Sequence, residues 1–138
     1  MIIDRPRPED IPLLRRLWQR SFGDTDEFLD SFFRLGFDPR RCRCVFAGDQ
    51  PVAALYWFDC ACDGRKLAYL YAVATDEAHR GQGLCRALMT HTHELLKQAG
   101  YSAAVLVPGQ PSLLGFYGNL GYSPFGGVRR WEVTAANE

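Results

Sequence analysis

An excess of charge of either sign is the first thing this chain lacks. Across 138 residues, 16 Lys and Arg balance 16 Asp and Glu, so no net field steers the protein toward nucleic acid or anionic lipid. No apolar run reaches membrane-spanning length, and Met1-Ile2-Ile3-Asp4-Arg5-Pro6 does not follow the basic-then-apolar order of a signal peptide. A cytoplasmic protein with neither nucleic-acid nor membrane partners is therefore expected. Linkers, repeats and low-complexity segments are also missing, so residues 1–138 are expected to form a single domain with a substantial core.

An even cysteine count is lacking as well. Five cysteines argue against a secreted disulfide framework. Cys42-Arg43-Cys44 and Cys60-Ala61-Cys62 suggest a four-thiolate zinc site, but strand geometry opposes it. If residues 41–47 and 51–60 pair around Gly48-Asp49, Cys42 and Cys44 lie opposite Tyr56 and Ala54. Cys60 then falls about 13 Å farther along its strand, at about 3.3 Å per residue. One zinc does not span that distance, so no metal is expected and the thiols are read as reduced and structural.

What is present is a clear sequence of elements. Ile2-Ile3 begins a short strand, and Ile11, Leu14, Leu17 and Trp18 trace an amphipathic helix between Pro8 and Phe22. Asp24-Thr25-Asp26-Glu27 resembles a capping box ahead of a second helix with Phe28, Leu29, Phe32 and Phe33 on its apolar face. Strands are expected from Cys42 to Ala47, from Pro51 to Cys60 and, after the tight-turn pair Asp63-Gly64, from Arg65 to Thr75. A long helix carrying Leu84, Ala87, Leu88, Leu95, Leu96 and Ala99 follows. After it come a buried strand from Tyr101 to Val107, a short helix from Ser112 to Leu120 and a closing strand from Val128 to Val133. A meander followed by an α/β crossover makes the fold α/β with a mixed sheet.

Between the third long strand and the long helix stands His79-Arg80-Gly81-Gln82-Gly83-Leu84-Cys85. A strand that turns through glycines into a helix leaves several N–H groups unpaired at the helix start. With the helix dipole, these donors form a socket for an anion, above all a phosphate. Arg80 adds a fixed positive charge with forked donors. A P-loop requires Lys and Ser or Thr after its last glycine, where Leu84 and Cys85 stand. A dinucleotide turn requires a small residue where Arg86 stands and an acid about twenty residues on, where Tyr101-Ser102-Ala103-Ala104 stand. Neither reading survives.

Arg80, Gly83 and Cys85 instead resemble the acyl-CoA-binding motif of the Gcn5-related N-acetyltransferase (GNAT) superfamily, with Cys85 where Gly or Ala is usual. Phe116-Tyr117-Gly118-Asn119-Leu120-Gly121-Tyr122 is similar to that family's closing signature. The resemblance covers Leu67 to Tyr122. It implies a mostly antiparallel mixed sheet flanked by helices, with two central strands, those ending near Thr75 and Val107, splayed around the pantetheine arm. The implied cosubstrate is acetyl-CoA. Arg80, Gly81, Gln82, Gly83, Leu84 and Cys85 would hold its pyrophosphate, Val73 and Thr75 its pantetheine and thioester, and Tyr117 would be the general acid. Pro111-Ser112 ahead of Phe116-Tyr117 looks like the enhanced-intracellular-survival branch, whose members acetylate amines including aminoglycosides.

An acetyl thioester is already activated, so the chemistry needs a held amine, oxyanion stabilisation and a proton for the leaving thiolate. A phenol with pKa near 10 suits the last task. The expected acceptor is a small-molecule or peptide primary amine. No carboxylate occurs in Lys66-Leu67-Ala68-Tyr69-Leu70-Tyr71-Ala72-Val73, where some members carry a glutamate base. Asp59, or water passing Tyr69 and Tyr71, are alternatives, and no base is assigned. His79 is expected in a solvent-facing loop, His93 on the polar side of the long helix and His91 on its apolar stripe. Trp57, Phe58 and Trp131 offer apolar surface for a homodimer. A non-catalytic acetyl-CoA sensor and a structural or dimerising domain are the rival readings.

Overall fold

A computed structural model describes residues 1–125 and 130–134. In chain order the main elements are β1 (Ile2–Asp4), α1 (Ile11–Phe22), α2 (Asp26–Ser31), β2 (Cys42–Ala47), β3 (Gln50–Cys62) and β4 (Arg65–Thr75). They continue with α3 (Leu84–Gln98), β5 (Ala103–Leu106), α4 (Leu114–Asn119), β6 (Ser123–Phe125) and β7 (Arg130–Thr134). Among the described residues the strands form one seven-stranded sheet in the order β1-β2-β3-β4-β5-β7-β6. The β1–β2, β2–β3, β5–β7 and β6–β7 pairs are antiparallel and the β4–β5 pair is parallel, which makes the sheet mixed as expected. No described helix is long and apolar enough to cross a membrane. The chain groups into two compact units, Met1–Tyr56 with Ala72–Leu88 and Trp57–Tyr71 with Met89–Glu138.

In the first unit, α1 buries Leu14, Leu17 and Trp18 and ends at Gly23, whose φ of +71° sets the left-handed cap. The Thr25 hydroxyl accepts from Phe28 N at 3.1 Å and starts α2, while the Asp24 carboxylate accepts instead from Trp18 Nε1 at 2.7 Å. The second helix was expected to run regularly through Phe33. It widens after Ser31 into a π-turn closed by Phe37 N to Phe32 O at 2.8 Å. That widening brings Phe32, Phe33 and Phe37 around Trp18 and Tyr56, with ring centroids 4.7 Å apart for Trp18–Phe32 and 5.1 Å for Trp18–Tyr56.

The β2–β3 register sets Cys42 opposite Tyr56 and Cys44 opposite Ala54, as the turn at Gly48-Asp49 required. Cys42 and Cys44 are buried, whereas Cys60 and Cys62 are exposed at the far end of β3. Among the described residues no three His, Cys, Asp or Glu side chains gather as a metal site.

In the second unit, β3 turns into β4 through Asp63 and Gly64 at φ +53° and +75°, the two left-handed residues of a tight hairpin. Trp57 is 4% exposed and donates through Nε1 to Tyr101 Oη at 3.3 Å, so it is core rather than contact surface. Phe58 is half-buried against Tyr71, and the Trp131 side chain lies outside the described residues, as does Val128 at the start of the expected closing strand. Tyr101 in turn donates to Asp59, which lies 3.9 Å from Lys66 Nζ. β6 was not expected; it pairs with β7 from Ser123↔Glu132 to Phe125↔Arg130.

Candidate functional site

β4 pairs with β5 over only three positions, Leu67↔Ala103 to Tyr69↔Val105, although β4 runs on to Thr75. A strand that outlasts its ladder offers backbone donors and acceptors to an extended ligand. Ala72, at φ +50°, interrupts the extended backbone just before Val73. A non-glycine residue in the left-handed region costs of order 1 kcal/mol and re-aims the groups around it. Val73 and Thr75 follow it, both half-buried.

Beyond Thr75 the first unit holds the loop tightly. Asp76 N donates to Val52 O at 2.7 Å, fixing the point where the chain leaves the sheet. The Asp76 carboxylate lies 3.0 Å from His79 Nδ1 and 4.0 Å from Arg20 Nη1. The His79 hydrogen bond is the main influence holding its carboxyl below the usual range. Arg80 is exposed and folds back so that its Nε donates to Thr75 O at 3.2 Å. A cavity of about 760 Å³ borders this segment, with Arg20 and Arg80 set against Asp76 and Glu77 in its lining.

Gly81 and Gly83 have φ of +81° and +77°, and a Cβ built on either would meet nothing within 4 Å. Glycine is needed here for the backbone turn, and the space above it is open to a ligand. Gly83 O accepts the first helical bond, from Ala87 N at 3.0 Å. The N–H groups of Leu84, Cys85 and Arg86 therefore belong to the unpaired first turn of the fifteen-residue α3, at the positive end of its dipole. Burial pushes the Cys85 thiol up to about 11, so it stays protonated at neutral pH and adds no negative charge at the helix start.

Val73, Thr75 and residues 80–85 thus form one continuous segment of the first unit, from strand end to helix start. Tyr117 belongs to the second. It is 6% exposed on α4, its ring 5.2 Å from Phe116 and 5.9 Å from Tyr122 between centroids. Gly121, at φ +98°, reverses the chain so that Tyr122 N donates to Tyr117 O at 3.1 Å.

Two expectations about α3 are corrected. His91 is exposed, and His93 is the half-buried histidine, with Nε2 2.6 Å from Tyr122 Oη. The fully buried stripe runs through Leu88, Met89, Thr92 and Leu96. Burial lowers the His93 pKa to about 4, so its ring is neutral at pH 7. Asp59, considered as a base, is engaged by Tyr101 and Lys66.

A mixed sheet whose central strand opens through a glycine turn into a long helix, with the unpaired N–H groups of the helix start at the junction, is the architecture of an acetyltransferase domain. The chain belongs to the acetyltransferase (GNAT) domain family, which matches residues 3–125. No curated protein matches it in sequence.

Several solved structures share the fold. A GNAT family N-acetyltransferase from Escherichia coli, in complex with CoA, superposes with a TM-score of 0.79 at 23% identity, over 99% of this chain and 82% of that one. The ribosomal-protein-S18-alanine N-acetyltransferase from Escherichia coli does so at 0.77 and 18% identity, over 99% and 95%. A GCN5-related N-acetyltransferase from Kribbella flavida matches 88% of this chain, with a TM-score of 0.71 and 23% identity, but only 33% of its own length is covered.

Proposed function

We propose that this chain transfers an acetyl group from acetyl-CoA to a primary amine by direct attack in a ternary complex. The observation that carries the reading is the helix-start socket. Gly81 and Gly83 bend the chain in the left-handed region, and the first turn of α3 follows with its N–H groups unpaired. In this reading the N–H groups of residues 81–85, with Arg80, hold the pyrophosphate of CoA. Val73 and Thr75 align the pantetheine and thioester by strand-like hydrogen bonds, and the left-handed Ala72 beside them supports that role. Membership of the acetyltransferase family and the CoA-bound fold relative support acetyl-CoA as cosubstrate.

The amine nitrogen attacks the thioester carbonyl, and the tetrahedral oxyanion takes hydrogen bonds from main-chain donors at the end of β4. The C–S bond then breaks, and Tyr117 gives its phenolic proton to the departing thiolate. The acceptor loses its extra proton to solvent, and solvent returns a proton to the Tyr117 phenolate. The enhanced-intracellular-survival likeness rests on Pro111-Ser112 ahead of Phe116-Tyr117, and it favours a small amine as acceptor.

The test is thiol release from acetyl-CoA over a panel of lysine, spermidine and an alanine-initiated peptide, with Tyr117→Phe beside the native protein. A fall in kcat of about a hundredfold with unchanged acetyl-CoA affinity is expected for loss of a general acid. Unchanged turnover would remove Tyr117 from that role. The absence of a carboxylate from Arg65–Thr75 favours the second reading, an acetyl-CoA sensor. Binding of acetyl-CoA with no thiol release to any amine would favour that reading.

A further inference from the structure

We infer that His93 is a positioning residue for the reaction, acting through the Tyr122 hydroxyl to fix the Tyr117 side chain. The inference rests on the general-acid reading of Tyr117 and adds to it the means by which that phenol is aimed.

The second unit supplies the geometry. Tyr117 sits on α4, an element of only six residues, Leu114–Asn119, which depends on packing against its neighbours to stay in place. Its neighbour Tyr122 grips it twice. The Tyr122 N–H bonds to the Tyr117 carbonyl at 3.1 Å, and the two rings meet edge to face at 70°. The far end of Tyr122 is fastened to α3, because its hydroxyl lies 2.6 Å from His93 Nε2.

His93 stands on a fifteen-residue helix beside the fully buried Thr92, and Leu96 one turn on is also buried, so this anchor is rigid. A neutral imidazole has one N–H and one lone pair, so it serves Tyr122 as donor or acceptor without bringing charge near the developing thiolate. The order of support is helix, His93, Tyr122, Tyr117. A catalytic group on a short element gains its aim from such a second layer, and a shift of an ångström there is costly in rate.

Tyr122→Phe is the decisive variant, since it removes one oxygen and leaves both the ring contact and the backbone bond. His93→Leu removes the anchor, and His93→Gln returns an amide able to bond the same hydroxyl. Each is measured by thiol release from acetyl-CoA with the fastest amine of the panel above, and by acetyl-CoA affinity. The expected result is a fall in kcat of about tenfold in Tyr122→Phe and His93→Leu. Acetyl-CoA affinity should stay unchanged, His93→Gln should recover most of the loss, and Tyr122→Phe should cost nothing further in a Tyr117→Phe background.

Native kcat in Tyr122→Phe would overturn the inference. So would an equal loss when Tyr117 is already Phe, because the bond would then act on something other than Tyr117. Full turnover in Tyr117→Phe alone is a separate result and would overturn the general-acid reading itself.

Discussion

Arg80 Nε donates to the carbonyl of Thr75 across 3.2 Å, so the side chain beside the glycine turn is tied to the end of the strand feeding it. In the proposed reading, where Arg80 also faces the CoA pyrophosphate, this bond gives it more than the part of a simple counter-charge. Lysine keeps the charge but lacks the forked, planar donors, and it cannot hold the Thr75 carbonyl while facing a phosphate. Arg80→Lys should weaken acetyl-CoA binding about tenfold, the cost of one charge-assisted hydrogen bond, and Arg80→Ala by more. Isothermal titration with CoA checks both, and equal affinity in the lysine variant would show that charge alone matters.

Gly83 tests the socket from the backbone side. At φ +77° any other residue is strained, by about 1 kcal/mol, although its Cβ would touch nothing. Gly83→Ala should therefore lower thermal stability modestly and weaken CoA through a displaced backbone. Gly83→Asp adds a carboxylate where the proposed reading puts the phosphate and should abolish CoA binding at a similar stability cost. Retained CoA affinity in the aspartate variant, with the fold intact by circular dichroism, would place the nucleotide elsewhere.

How much of this was legible beforehand depends on the kind of signal. The bounds of β2 and β4 and the register of the β2–β3 hairpin followed from turn residues, because Gly48-Asp49 and Asp63-Gly64 leave few ways to reverse the chain. The glycine loop was legible for the same reason. The phase of α3 was not. Counting leucines and alanines put His91 inward, but Ala87 and Ala99 are exposed while Thr92 is fully buried. A threonine presents nearly the volume of valine to a core, so pattern alone could not separate a stripe containing Thr92 and His93 from one containing Ala87 and His91. Ala72 was equally silent, since alanine within a β-branched and aromatic run carries no signal for a left-handed backbone. The pairing of Tyr122 with His93 joins residues 29 apart and depends on that helix phase.

The pKa of His93 gives the last prediction its sign. Burial sets the folded value at about 4, below the ordinary value of about 6.5 expected in the unfolded chain. Above pH 6.5 the ring is neutral in both states and contributes no pH dependence. As pH falls from 6.5 to 4 the unfolded chain takes up a proton that the native protein refuses, so native stability declines through that window. Below pH 4 both states bind the proton and the decline from this group ends. At about 1.4 kcal/mol for each pH unit between those two values, the loss amounts to about 3 kcal/mol. Asp38, held down to about 2 chiefly by its hydrogen bonds with Arg40, weakens the fold only as pH drops below about 4. Urea unfolding of the native protein and of His93→Gln, compared between pH 7 and 4, isolates this histidine from the other titrating groups. The native protein should lose stability across the range, and His93→Gln, with no proton to gain at this position, should lose about 3 kcal/mol less. A native curve that runs parallel to that of the variant would mean that His93 gains its proton equally in both states and is more open to water than its place against Tyr122 implies.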